Sequence, residues 1–167
     1  MPKTPEYREI AFGDGYFTVP LYLSGTGKFW GETPWFGRYA PRGVPVARTP
    51  DELRAFFESL SPGEPVAIHS HGDPKWISAT FADGARAVYV SPDDLGCFEP
   101  LKAKRPVEVA LFSCSTGAGR DNFAQKLSAY LRNGIPVIAP RHHIHRNHGL
   151  FRRYINGEQV NGWLLRL

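Results

Sequence analysis

Cysteine is nearly missing from this chain, which has two in 167 residues, Cys97 and Cys114. Two thiols cannot build the multi-bridge framework of a small secreted scaffold, so a disulfide-held fold is not expected and a reducing compartment is compatible. Long apolar runs are missing as well. No stretch approaches the roughly 18–20 residues of a membrane span, and the N-terminus lacks a basic-then-apolar leader, so no classical export signal is expected. A strong charge imbalance is also absent: the net charge is +4, with acidic residues mixed throughout. The densest basic run, Arg141 to Arg153, reads as solvated surface rather than a nucleic-acid footprint. What remains is ordinary globular composition, 42% apolar and 22% charged, with enough length for one domain and its own core.

Two stretches stand out. Val66-Ala-Ile-His-Ser-His-Gly-Asp73 reads as a short buried strand that runs into His71-Gly72. Val107-Glu-Val-Ala-Leu-Phe112 is a second apolar strand, and it runs into Ser113-Cys114, so the cysteine follows His71 by 43 positions. Between and around them the signals alternate. Thr49-Pro-Asp-Glu52 is a capping box with proline at the first helical position, followed by Leu53, Phe56, Phe57 and Leu60 on one helical face. Asp83-Gly84 between residues 76–81 and 85–90 predicts a hairpin. Ser91 to Asp94 caps a short helix carrying Leu95, Phe98 and Leu101, kept short by Gly96 and Pro100. Phe123, Leu127, Tyr130 and Leu131 mark a longer helix expected to begin near Arg120 and to be capped by Gly134. Residues 135–139 make a third buried strand, and Asn156-Gly157 predicts a terminal hairpin.

This grammar predicts an α/β fold, a mostly parallel central sheet flanked by helices with additional β-hairpins. Residues 44–167 form the domain. Residues 1–43, rich in Pro, Gly and aromatics and holding a strand over 16–23, read as an arm packed on it. In such sheets chemistry gathers at the carboxyl ends of the strands, where His71 and Cys114 fall, expected on neighbouring strands. An imidazole beside a thiol makes it a nucleophile. The small residues Ser115-Thr-Gly-Ala-Gly119 let a substrate approach closely, and amides free in that turn are expected to serve an oxyanion, as is the Gly72 amide. His69 shares a strand face with His71 and reads as a hydrogen-bonded supporting histidine. Asp73 either orients His71 or caps its own turn. Cys97 reads as core. Ser70, Asp73, Ser113, Ser115, Arg141 and His142 are the candidate substrate contacts. The run His142-His-Ile-His-Arg-Asn-His148 reads first as a substrate-facing loop, with a plain exposed loop and a zinc or nuclease site as the alternatives.

An apolar strand ending in His-Gly, followed at this separation by one ending in cysteine, resembles the caspase-like cysteine peptidases. These include gingipains, separases, the self-processing domains of large bacterial toxins and CHAT domains. The likeness covers roughly residues 44–140. With Ser115-Thr-Gly117 and the helix Asn122-Phe-Ala-Gln-Lys-Leu127, it is greatest to bacterial toxin, effector or CHAT-type members. The resemblance implies a caspase-like α/β/α fold and a cysteine endopeptidase acting through a thioester. It gives Cys114 the role of nucleophile, His71 that of proton carrier, and the Gly72 amide with that of Cys114 an oxyanion site. It implies no metal or other cofactor. The partners it implies are a protein substrate, the chain itself in cis included, and a cognate inhibitor or immunity protein. It also implies a soluble protein, cytoplasmic or delivered as an effector. The animal caspase motif Gln-Ala-Cys-x-Gly is absent, since Phe112-Ser113 precede the cysteine, so an aspartate preference is not implied. The competing readings are an inactive caspase-like interaction module and a histidine-metal nuclease.

Overall fold

The computed structural model describes residues 6–14, 44–142 and 150–164. The strand expected over 16–23, the aromatic stretch 29–39 and histidines 143–148 lie outside them. In chain order the elements are β1 (Arg8–Phe12), β2 (Val46–Ala47), α1 (Pro50–Glu58), β3 (Val66–His69), β4 (His71–Asp73), β5 (Trp76–Ala79), β6 (Val88–Val90), a short 3-10 helix (Gly96–Phe98), α2 (Pro100–Lys104), β7 (Val109–Phe112), α3 (Phe123–Leu131), β8 (Val137–Pro140), β9 (Leu150–Ile155) and β10 (Glu158–Leu164).

Seven strands form the main sheet in the order β10-β9-β8-β7-β3-β1-β2. The run from β2 to β8 is parallel, and the β9–β10 hairpin extends it antiparallel. Being buried on both faces, the central strands read as continuous apolar runs, Val-Ala-Leu-Phe in β7 and Val-Ile-Ala-Pro in β8. Among the described residues all three helices pack on one face of this sheet. There Leu53, Phe57, Leu101, Phe123, Leu127 and Leu131 meet Ile68, Leu111 and Val137. Each such side chain, fully buried, contributes about 1.5–3 kcal/mol. The opposite face carries Ala67, Ala110, Phe112, Ile138 and Phe151.

Local rules account for most of the element ends. Thr49 Oγ1 accepts from the Glu52 amide at 3.2 Å, as the capping box requires. The Glu52 carboxylate closes the box one residue early, on the Arg48 amide at 2.6 Å. α3 begins at Phe123 rather than near Arg120, because the Asn122 side chain caps it by accepting from the Gln125 amide at 2.9 Å. Its far end turns at Arg132 and Asn133, both at positive φ, before Gly134. Asp83-Gly84 sits in a loop between β5 and β6 that is longer than a two-residue turn, since pairing stops at Ala79 and Val88.

One element escapes the sequence pattern. β1 opens Arg8-Glu9, which looks like surface, yet it is an internal strand between β3 and β2, so part of the expected 1–43 arm lies inside the sheet. Its charges are used. The Arg8 guanidinium lies over the Phe56 ring at 5.5 Å and pairs with Glu64 at 3.4 Å, while Glu9 meets His69.

The β9–β10 turn puts Asn156 and Gly157 both at positive φ, the I′ geometry that Asn-Gly favours. It docks on α3: the Gly157 amide donates to Ser128 Oγ, and its carbonyl accepts from Gln125 Nε2, both at 2.9 Å. A β-carbon on Gly157 would stand 2.9 Å from that of Ala129. Gly157→Ala is therefore expected to cost about 1–3 kcal/mol through clash and left-handed strain. Urea denaturation reads the cost, and an unchanged midpoint would contradict this docking.

Candidate active site

β3 and β7 are neighbours in parallel register, with Val66 opposite Val109 and His69 opposite Phe112. This offset of 43 is the same as the separation of His71 from Cys114. Just past both strands, Ser70 and Ser113 close the pair with a hydroxyl–hydroxyl hydrogen bond of 2.6 Å. Both serines, candidate substrate contacts from the sequence, are fully buried. Their hydroxyls clasp the strand ends to each other, because a buried hydroxyl must find a partner inside the protein.

Beyond the clasp the two chains diverge but stay in contact. A β-carbon on Gly72 would come within 2.7 Å of Thr116 Cγ2, 2.9 Å of Ser113 Cβ and 3.2 Å of the Cys114 carbonyl oxygen. Gly72 is thus packed into the Cys114 turn and has no room for a side chain. Cys114 itself is partly exposed and packs beside the Phe112 cluster. The chain reverses immediately after it, at Ser115 with φ +57°. A non-glycine residue in that region carries about 1–3 kcal/mol of strain and persists where its surroundings hold it.

The holding is visible. The amides of Ser115 and Gly117 donate to the carbonyls of His142 and Pro140 at 3.1 and 3.0 Å, those of Thr116 and Ala118 to Ser113 and Ser115 within the turn. All four amides are engaged, so they are not the free oxyanion donors expected from the small-residue stretch. The carbonyls are held from the other side. Tyr154 Oη and Arg152 Nη1 donate to the Gly117 carbonyl at 3.1 and 3.3 Å. Arg152 Nη1 and Asn122 Nδ2 donate to that of Gly119, both at 3.1 Å, and Asn122 Nδ2 donates to Tyr154 Oη at 2.7 Å. Sequence pattern did not single out Arg152 or Tyr154. Their only signal is a polar or ring-hydroxyl residue on the inner face of a hairpin strand.

The histidine side is built differently. His71-Gly72-Asp73 is itself a strand, β4, at the edge of a three-stranded antiparallel sheet with β5 and β6. His71 is half-buried, and this desolvation lowers its pKa below the ordinary 6.5, which favours the neutral imidazole at pH 7. Asp73 caps its own turn: Oδ1 accepts from the amides of Lys75 and Trp76 at 2.6 and 3.1 Å. His69 is fully buried, stacked on Phe112 at 5.1 Å between centroids, with Nε2 at 3.2 Å from Glu9 Oε1. Burial pushes the Cys97 thiol up to about 12, which keeps it protonated and inert, whereas Cys114 is more exposed.

Arg141 and His142 are exposed and lie directly beside Ser115 through the His142 carbonyl. Residues 143–148, the rest of the histidine run, lie outside the described residues, among which no group of three metal-ligating side chains occurs. No described helix is long and apolar enough to cross a membrane.

Two substitutions probe this construction. Gly72→Ala should lower stability by about 1–3 kcal/mol through overpacking and slow alkylation of Cys114, measured by urea midpoint and iodoacetamide kinetics. Tyr154→Phe strips one buried hydroxyl from the Asn122–Gly117 network and should cost about 1–3 kcal/mol on the same urea assay. A neutral Tyr154→Phe would mean that the hairpin does not hold the turn.

Residues 46–151 match the model of a family described as a domain of unknown function, DUF8616. No curated protein matches the chain.

Proposed function

The chain belongs to the DUF8616 family, and from its site we propose that it is a caspase-like cysteine endopeptidase using Cys114 and His71. The observation that carries this reading is the shared register of β3 and β7. It ends both strands at the Ser70–Ser113 clasp and sets a histidine and a cysteine two residues past the strand ends on one rim. Gly72, packed against the Cys114 turn without a side chain, supports it.

In this mechanism the Cys114 sulfur attacks the peptide carbonyl carbon while His71 takes the thiol proton. The amides of Gly72 and Cys114 receive the oxyanion, because the amides of residues 115–118 are already bonded. Collapse breaks the C–N bond, and His71 returns the proton to the departing amine, which leaves a thioester on Cys114. Water, deprotonated by His71, then releases the acid and restores the thiol. Burial of His71 favours the neutral imidazole, which leaves His71 ready as a base. By the same resemblance the domain acts as an effector or self-processing unit.

Alkylation of Cys114 by iodoacetamide, mapped by mass spectrometry with Cys97 as the inert control, tests the pair. His71→Ala should slow it by about tenfold or more. Equal rates in wild type and His71→Ala would sink the dyad and leave an interaction module as the better reading. The pH profile carries a sign: a lowered His71 pKa keeps the base unprotonated to below pH 6.5. The rate assigned to His71 should therefore persist below that value and fall only in more acidic buffer.

A further inference from the structure

The small sheet that carries His71 has two faces, and its register sorts them. Gly72 stands opposite Ile77, which stands opposite Val90, and Ala79 opposite Val88. Ile77, Ala79 and Val90 are buried in the main core, and Val88 packs against it. Directly opposed residues share a face, so the other face holds the row His71–Ser78–Tyr89 and the neighbouring pair Asp73–Trp76. The candidate base and two aromatic rings therefore stand on the same side of one three-stranded sheet.

The rings are arranged as a surface. Trp76 and Tyr89 meet edge to face, with centroids 5.0 Å apart and an interplanar angle of 87°. Tyr89 is 58% exposed, among the most exposed large apolar side chains described, whereas Ser78 between it and His71 is 2% exposed. Trp76 is half-buried, with its amide tied to Asp73 Oδ1. The pair stands on hydrogen-bonded strands with the Tyr89 ring open to solvent, and no described carboxylate or lysine forms an ion pair across it. Rings in this state add apolar contact at little conformational cost.

Taking Cys114–His71 chemistry as the premise, we infer that Trp76 and Tyr89 form a substrate subsite. It receives an apolar or aromatic side chain of the polypeptide beside the scissile bond. In the His71 row the exposed side chain is Tyr89, two strands away across the buried Ser78, so a polypeptide laid along this face from His71 reaches the ring pair. The site therefore selects bulky apolar residues over small or acidic ones.

The test uses the whole chain and a set of peptidyl acyloxymethyl ketones whose guest residue next to the warhead, or one position before it, is Phe, Leu, Ala or Asp. Iodoacetamide serves as the guest-free control. The Phe and Leu reagents should inactivate Cys114 about tenfold faster than the Ala reagent, a difference of about 1.4 kcal/mol. Tyr89→Ala and Trp76→Ala should bring that ratio to within about twofold, each rate being divided by the same variant's iodoacetamide rate. Trp76→Phe, which keeps a ring and protects against a folding defect, should retain most of the ratio. A preference for Asp or Ala at both positions, or a Phe-to-Ala ratio unaltered by either alanine variant, would overturn the subsite while the dyad stands. A Cys114 inert to every reagent would overturn the dyad instead. Fluorescence anisotropy of the same Phe and Ala peptides without a warhead then decides the subsite by their affinity ratio in wild type and Tyr89→Ala.

Discussion

The hydrogen bond between Ser70 and Ser113 closes the one pairing on which the rest of the site depends. β3 and β7 could slide past each other only by moving buried residues to the wrong face, since a one-residue slip inverts every side chain. The hydroxyl pair adds a second lock at the open end of the ladder. Leaving either oxygen alone in a fully buried position would cost about 1–3 kcal/mol. With register held there, residues 71 and 114 each follow the clasp by one position, and Gly72 packs against Ser113, Thr116 and the Cys114 carbonyl.

The two halves of the site are held by different means. The Cys114 turn is clamped from three directions: by the β8 end through the Pro140 and His142 carbonyls, by the hairpin through Arg152 and Tyr154, and by α3 through Asn122. That many donors and acceptors around five residues sustain a positive φ at Ser115 that an isolated loop would relax. The His71 side is instead a strand in its own small sheet, with one face sealed in the core and the other open at Tyr89. The turn is thus held by hydrogen bonds from three elements, while the small sheet presents Trp76 and Tyr89 on its other face.

The face of the main sheet away from the helices holds its polar groups in pairs. Glu9 meets His69, and Tyr7 donates to Glu108, whose carboxyl is raised by burial. These pairs let β1, with its polar start, run inside the sheet. They also put the His69 ring flat on Phe112, next to the cluster where Cys114 packs. The supporting role expected of His69 thus has a hydrogen bond and a stacking contact behind it, on a face of the sheet rather than at its rim.

Periodicity and turn chemistry were sufficient for much of this molecule. The capping box at Thr49, the apolar faces of α1 and α3, the Asn-Gly hairpin and the central strands are local features, so short stretches of sequence declare them. The α/β class follows from the same local signals, but the stretch read as one strand running into His71-Gly72 is divided. β3 stops at His69, and His71 opens β4 in the second sheet, off the strand that carries His69. Tertiary structure alone decided what depends on residues distant in the chain. It buried Ser70 and Ser113 and paired their hydroxyls, because burial is a property of the neighbours and not of serine. It made β1 an internal strand, since the partners of Arg8 and Glu9 lie about 56–60 positions away. It spent the amides of residues 115–118 on β8 and on the turn itself. It also set Trp76 and Tyr89 on the face of His71, a matter of cross-strand register that no single strand contains.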